Sequence, residues 1–395
     1  MNVLIIGNGV YVSGRGTDGF GTVLPAVLEY QRMFGNLDLV TLVGTQFAHA
    51  EEAKSKAQRL MELTDLSVNI ISLPLQNCNP RNPEKTYKEV LDRISEPTCA
   101  IVVVPDHVHY EITRECIIKG LHTLVVKPLT ATVAEAKDLI YLCEKHGVYG
   151  AVEFHKRFDR HNLKLKEGLH SKKFGEILYF LVEYSQKKHV PAEHFSSWIS
   201  KTNIFQYLGV HYVDIIYFVT KARPIKVLAL GQKRWLSSKN IDALDTIHVT
   251  ILWQETNGET FFSFFHTGWI DPETGTAESN QRIQLIGTKG HIKSDQKYRG
   301  LQMVSDADGV EDLNPDFCAS YFDDNGSIKY SGYGIESICT YLSDADDLLS
   351  KKIDIASLSK NRPTFSDSLC STAVVEAVNK GLREQGTWID VFIEY

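Results

Sequence analysis

Lys127 follows the apolar run "HTLVV" and is succeeded at once by Pro128 and then by a helical pattern. That order puts the lysine at the carboxyl end of a strand, the edge where open α/β sheets place ligands and chemistry. A lysine there can hold a reacting hydroxyl and move its proton, provided another group takes a hydride. Farther along, Tyr207, His211 and Asp214 stand at i, i+4 and i+7 in "FQYLGVHYVDIIYF", with the small Gly209 between them. At helical spacing they fall near one face. His211 can hydrogen-bond a substrate oxygen and relay a proton. Each residue also has a plainer reading: a surface lysine at a turn, a hydrogen-bonded core histidine, a structural acceptor.

The elements that must position these groups are legible as patterns. Over 1–153, the runs "NVLIIG", "LDLVTLVG", "VNIISL", "CAIVVVP", "HTLVVKP" and "VYGAVEF" read as strands buried on both faces. Helical segments are expected over 22–34, 49–63, 84–94, 108–119 and 132–146. Alternating strand and helix predicts a parallel, doubly wound sheet. After this the pattern changes. Longer strands rich in aromatic residues are expected over 176–186, 225–235, 246–254, 259–269 and 281–295. They suit a large, mostly antiparallel sheet in a C-terminal α+β domain, 154–395. Helices over 205–219, 334–351 and 366–384 are expected to cover it, with the last able to pack back on the first domain. The Asp/Gly/Ser-rich stretch 305–333 reads as a loop.

The first strand leads into "IIGNGVYVSGRGTDGFGTVLPAVL". Gly7 and Gly9 permit a tight turn and close approach of backbone to a pyrophosphate, with Val10 and Tyr11 next to them. Val12 stands where a third glycine is usual. Gly14, Gly16, Gly19 and Gly21 follow before a helix with Thr22 as N-cap and Pro25 in its first turn. The second strand ends in Gly44, Thr45 and Gln46 where an acid would bind ribose hydroxyls in NAD enzymes. Nothing there excludes a 2′-phosphate, so NAD and NADP both stay open. Arg15, in the expanded loop, can serve a phosphate or lie on the surface.

Several further motifs lie between these anchors. The fourth strand ends in Pro105 and Asp106, with His109 close behind. "VEFHKRFD" puts His155, Lys156 and Arg157 past the sixth strand. Arg157 suits a substrate phosphate or carboxylate, or an interdomain ion pair. Lys187, Lys188 and His189 end the first long strand of the second domain. Asn203, just before the histidine helix, is a further candidate for substrate contact.

Together these motifs make the chain resemble the Gfo/Idh/MocA oxidoreductases, along essentially its whole length. "PDHVHYE" is similar to the family's P-N-x-x-H, "GLHTLVVKP" to A-G-K-H-V-x-x-E-K-P, and "LGVHYVD" to D-x-G-x-H-x-x-D. "IQLIGTKGHI" and "PTFSDSLCSTAVVEAVNKGL" resemble its late G-T-x-G strand and closing helix. The resemblance implies a Rossmann domain binding NAD or NADP through Gly7, Gly9, Val10, Tyr11, Arg15, Gly44, Thr45, Pro105, Asp106, His109 and Lys127. It maps the catalytic lysine to Lys127 and the catalytic histidine to His211. It implies hydride transfer to or from a sugar, nucleotide sugar or polyol, with Arg157, Lys187, Asn203 and His211 toward substrate. It also implies a homodimer or homotetramer formed through the open sheet. Two alternatives share the fold: a glycosidase that uses NAD transiently, and a non-enzymatic dinucleotide-binding regulator.

Three departures matter. Val126 replaces the glutamate before the lysine, "KTNIFQ" replaces a Gly-Gly run, and Tyr207 replaces an acid four residues before the histidine. With an ordinary pKa near 10, a tyrosine is a poor base and a fair donor to a carbonyl. Tyr207 therefore joins Lys127 and His211 as a catalytic candidate, with ketone reduction at least as well served as alcohol oxidation.

Composition narrows the class. Hydrophobic residues make up 43% and charged residues 23% of 395, as in ordinary globular proteins. A net charge of -7 offers no basic field for nucleic acid. Seven scattered cysteines, without C-x-x-C pairing, fit a reducing compartment and no metal site. "MNVLIIGNG" is not a signal peptide, and no apolar run reaches the ~18 residues of a membrane span. The expectation is a cytoplasmic protein with neither membrane nor nucleic-acid partner.

Overall fold

Six short strands rich in Val, Ile and Leu pair in parallel: β1 (Asn2–Ile6), β2 (Leu39–Val43), β3 (Ile70–Leu73), β4 (Thr98–Val102), β5 (His122–Val126) and β6 (Gly150–Glu153). Their order in this computed structural model is β3-β2-β1-β4-β5-β6. The structure describes residues 1–75, 83–94, 97–384 and 386–393. Cys78 and the start of the helix expected at 84–94 have side chains outside that set. The helices of this part are α1 (Val10–Ser13), α2 (Val23–Phe34), α3 (Phe47–Thr64), α4 (Pro83–Arg93), α5 (His109–Ile118) and α6 (Val133–His146). Strand order reverses between β1 and β4, which opens a crevice at their carboxyl ends.

The chain divides into two compact units: 1–129, 134–158 and 316–367 form one, and 130–133, 159–315 and 368–395 the other. The first unit therefore takes back a late segment. Its helix α10 (Tyr333–Leu349) buries Ile335, Ile338, Leu342 and Ala345 in the same core as Val27 and Tyr30 of α2. This helix was expected to cover the second sheet, and its apolar stripe serves the first core instead.

The second unit is built on a seven-stranded sheet. Its members are β7 (Ile177–Lys187), β8 (Arg223–Gln232), β9 (Thr246–Gln254), β10 (Thr260–Asp271), β11 (Ser279–Gly287), β12 (Gly290–Asp295) and β17 (Trp388–Asp390), in the order β12-β11-β7-β10-β9-β8-β17. All pairs are antiparallel except β7 with β10. The run expected as one strand over 281–295 is a hairpin. It turns at Thr288 and Lys289, whose amides donate to the carbonyls of Glu176 (2.9 Å) and Phe174 (2.9 Å). The stretch 305–333, expected as a loop, carries strands instead: β14 (Gly309–Leu313), which pairs with β13 (Leu301–Ser305) just before it, and the hairpin of β15 (Ala319–Phe322) with β16 (Ile328–Ser331).

One face of the large sheet is covered within its own unit. α7 (Arg160–His170) packs beside α8 (Val210–Thr220), and a π-turn over Phe205–Gly209 runs straight into α8. Phe205 meets Phe265 of β10 edge-on at 5.5 Å. The second unit also holds the short helix α9 (Trp235–Ser238) and, from Ser368 on, the long α12 (Phe365–Arg383), whereas the short α11 (Ile355–Leu358) belongs to the first unit. Among the described residues, no helix is long and apolar enough to cross a membrane.

Candidate active site

Gly7 and Gly9 close the turn after β1 for different reasons. Gly7 has φ +120°, and a Cβ on it would lie 1.9 Å from the carbonyl oxygen of Val103, just past β4. Any side chain there would wedge the crevice apart. A Cβ on Gly9 would meet nothing within 4 Å, so its backbone faces open space. This is the close approach that a pyrophosphate needs. Gly44 serves the turn indirectly: a Cβ there would strike the Asn8 amide nitrogen at 2.1 Å.

The expanded loop is an interruption of one helix. α1 makes a single turn and stops at Gly14 (φ +69°), where a Cβ would lie 2.1 Å from the Gly19 carbonyl oxygen. The chain loops out and returns through a hydrogen bond from the Thr22 amide N–H to Tyr11 O (2.8 Å) before α2 begins. The loop is fastened along α3 at His49, Glu52 and Lys56. Arg15 Nη1 lies 3.1 Å from His49 Nδ1, and Gly16 N donates to Glu52 Oε1 at 2.8 Å. Lys56 donates to the Gly19 carbonyl at 2.7 Å and also to that of Thr17. Guanidinium has no acceptor, so His49 Nδ1 accepts. Burial, then the charge of Arg15, lowers the His49 pKa and keeps it neutral. His49 stands in the first turn of α3, directly after Thr45 and Gln46, so Arg15 is held at the end of β2.

The ends of β4 and β5 are tied together. His109 is buried, with Nδ1 2.6 Å from Pro128 O and Nε2 2.9 Å from Val104 O. It braces the two loops. Pro105 caps the short turn that carries buried Asp106. Lys127 is partly exposed and precedes a cis peptide bond to Pro128. Loss of water around its ammonium pushes its pKa down to about 8, against the charges of Asp106 and Glu153.

Glu153, at the end of β6, is a buried carboxylate that the sequence did not single out. It accepts from His155 Nδ1 (2.9 Å) and Ser337 Oγ (2.6 Å). The His155 ring is gripped by Phe317 at 5.2 Å and stacks on Tyr333 at 5.6 Å. The Tyr11 hydroxyl is enclosed, and burial and then the charge of Glu153 hold it well above its usual pKa. Arg157 pairs with Asp367 and is buried.

In the second unit, His211 and Asp214 are buried on α8. The His211 ring lies 6.2 Å from that of Tyr184 on β7. Tyr207 leaves the π-turn and packs against Phe195 (4.8 Å) and Trp269 (6.2 Å). Asn203 braces the same turn: its Oδ1 accepts from Gln206 N (2.9 Å) and its Nδ2 donates to Asn379 Oδ1 (2.7 Å). It also lines an open polar cavity of about 320 Å³ with Lys201, Lys233 and Arg383. Lys187 ends β7, partly exposed.

Residues 1–154 match the oxidoreductase family with an NAD-binding Rossmann fold, and residues 162–293 match the GFO/IDH/MocA C-terminal domain. The chain belongs to the Gfo/Idh/MocA family. Among curated members, the scyllo-inositol 2-dehydrogenase (NADP(+)) IolW of Bacillus subtilis is 27% identical over 174 residues, 43% of this chain and 47% of that protein. The matched segment thus spans about half of that relative, at 47% of its length. The myo-inositol 2-dehydrogenase of Thermotoga maritima is 23% identical over 229 residues, 57% of this chain and 65% of the relative. Among solved structures, scyllo-inositol dehydrogenase from Lactobacillus casei, with bound NAD(H) and scyllo-inositol, superposes with a TM-score of 0.67 at 15% identity over 99% of both chains. GenD2 from gentamicin A biosynthesis, in complex with NAD, gives 0.68 at 15% identity over 100% of this chain and 97% of that one. Those likenesses speak to the Gfo/Idh/MocA fold.

Two residues of this Gfo/Idh/MocA site escaped the sequence reading. His49 carried a signal only in its place, the first turn after β2. Glu153 had none, because its importance lies in which strand it faces.

Proposed function

We propose that this chain is an NAD(P)-dependent oxidoreductase that interconverts a cyclic polyol or sugar hydroxyl and its ketone. The observation that carries this reading is a lysine with a pKa lowered to about 8 at the carboxyl edge of a sheet. The same edge has a glycine turn with room for a pyrophosphate. Gly7, Gly9, Val10 and Tyr11 would hold the pyrophosphate end of the dinucleotide, with Thr45 and Arg15 toward its ribose. When bound, that group supplies or accepts the hydride. Lys127 then holds the substrate oxygen and gives or takes its proton. His211 positions that oxygen, and Tyr207 donates to a carbonyl better than it accepts from an alcohol. Arg157, whose guanidinium pairs with Asp367, and Lys187 are the cations proposed to meet the substrate. The curated relatives are named for inositols, which makes inositols and inosose ketones the first compounds to test.

A 2′-phosphate is favoured by one arrangement. No acid closes β2, and Arg15 is held beside neutral His49 at that point. NADP is therefore the first cofactor to test. The outward sheet face, with Phe262 (40% exposed) and Leu230 (42%), supports assembly of copies through this sheet. Scattered cysteines support a cytoplasmic setting.

The test is to release and identify any copurifying dinucleotide, then screen polyols and their ketones by absorbance of the reduced cofactor. Wild type should turn over and Lys127→Ala should not. Equal rates in both would sink the assignment of Lys127. Failure to bind either dinucleotide would sink the enzyme reading itself.

A further inference from the structure

We propose that Glu153 is the positioning carboxylate of Lys127, delivered from the neighbouring strand because the residue before the lysine carries no charge. The inference rests on the role given to Lys127 above. Its first support is register. β5 and β6 are parallel, and Val126 pairs directly with Glu153 at their carboxyl ends. Paired residues of adjacent strands lie side by side, with backbones only ~4.8 Å apart. An acid one strand away therefore occupies the place beside Val126, next to where the lysine leaves the sheet.

The second support is charge. Glu153 is 3% exposed, and a buried carboxylate is costly unless a cation or strong donors compensate it. Its named donors are a serine hydroxyl and an imidazole. The groups facing it are Tyr11 from α1, His155 from its own segment, and Ser337 and Tyr333 from α10. Glu153 is, after Asp106, one of the two anions whose charge opposes the fall in the Lys127 pKa.

The third support is rigidity. Glu153 is held at both oxygens, from His155 and Ser337, and His155 is itself clamped between aromatic rings. A lysine side chain is a flexible four-carbon stem with three rotatable donors. A fixed anion gives its ammonium one direction, which a proton carrier needs for repeated transfer to one oxygen.

Glu153→Gln keeps the shape and an acceptor and removes the charge, so it separates positioning from packing. Two measurements decide on the full-length chain. Competitive labelling of Lys127 with acetic anhydride across pH, read by mass spectrometry, reports its titration without any turnover. Removing the anion should shift that labelling curve to lower pH, and Glu153→Asp should return it toward wild type. In steady state, Glu153→Gln should lower kcat about tenfold, a part of the full general-acid contribution, with the cofactor KM unchanged. The limb of the pH–rate profile set by the Lys127 titration should move the same way. An unmoved labelling curve in folded Glu153→Gln overturns the proposal, even if turnover is lost. Full activity in Lys127→Ala overturns the reading beneath it instead.

Discussion

Arg15 and His49 are joined nitrogen to nitrogen at 3.1 Å, linking a loop that interrupts one helix to the first turn of another. The loop is laid along α3 by three residues of that helix, His49, Glu52 and Lys56, and the guanidinium ends up beside the end of β2. If it reads a 2′-phosphate, Arg15→Ala should raise the KM for NADP at least tenfold and leave that for NAD within twofold, as expected for loss of a charge-assisted pair worth about 1.5–3 kcal/mol. Parallel titrations of both cofactors by fluorescence check this. Equal losses for both would point to a role in loop structure.

The pKa of Lys127, about 8, fixes the pH behaviour in each direction. Carbonyl reduction needs the ammonium, so its rate should fall as pH rises through about 8. Alcohol oxidation needs the free amine, so its rate should rise over the same interval. Initial rates in both directions from pH 6 to pH 10, the span flanking this titration, would show two opposed limbs. Limbs of the same sign would exclude one lysine as acid and base.

Much of this was legible because its cause is local. Short Val/Ile/Leu runs alternating with helical patterns fix a parallel sheet, and a Lys-Pro pair after one of them fixes a strand end. The remainder depends on pairing across sequence. Glu153 becomes a partner of Lys127 through strand register. α10 has an apolar stripe that either sheet could have used, and only the completed core assigns it to Val27 and Tyr30. The Gly287–Gly290 turn was missed although two glycines flanking Thr288 and Lys289 carry a hairpin-turn signal. The hairpins within 301–331 were hidden because their strands are short, exposed and joined by Asp/Gly/Ser-rich turns.

Tyr207→Phe tests the direction of the reaction. The ring is held by Phe195, Trp198 and Trp269, so loss of the hydroxyl alone should leave the fold intact. Ketone reduction should slow by about tenfold or more through loss of one donor to the developing oxyanion. Oxidation should be less affected. Full turnover in both directions would remove Tyr207 from the chemistry.

Gly44→Ala should destabilise the first unit by about 1–3 kcal/mol, the usual cost of overpacking. The added methyl would strike Asn8 at 2.1 Å, and Asn8 is itself buried. Asn8→Ala in the same chain should recover much of that loss, giving a coupling that thermal melts of the single and double variants would read. Additive losses would mean the clash is relieved elsewhere.

Asp159 carries the largest expected stability effect in the second unit. It accepts from Arg299 Nη2 at 2.7 Å, Gln296 Nε2 at 2.6 Å and the amide of His161 at 3.1 Å, and so caps α7 as well. The Arg299 and Asp159 side chains are 1% and 0% exposed. Asp159→Asn leaves a guanidinium without its buried counterion, at a cost of about 3–5 kcal/mol. Replacing both partners by apolar residues should cost less than removing Asp159 alone, because no charge is then stranded. Denaturant titrations of Asp159→Asn and of Asp159→Leu with Arg299→Met would rank them. A double variant less stable than the single would show that the pair itself stabilises the fold.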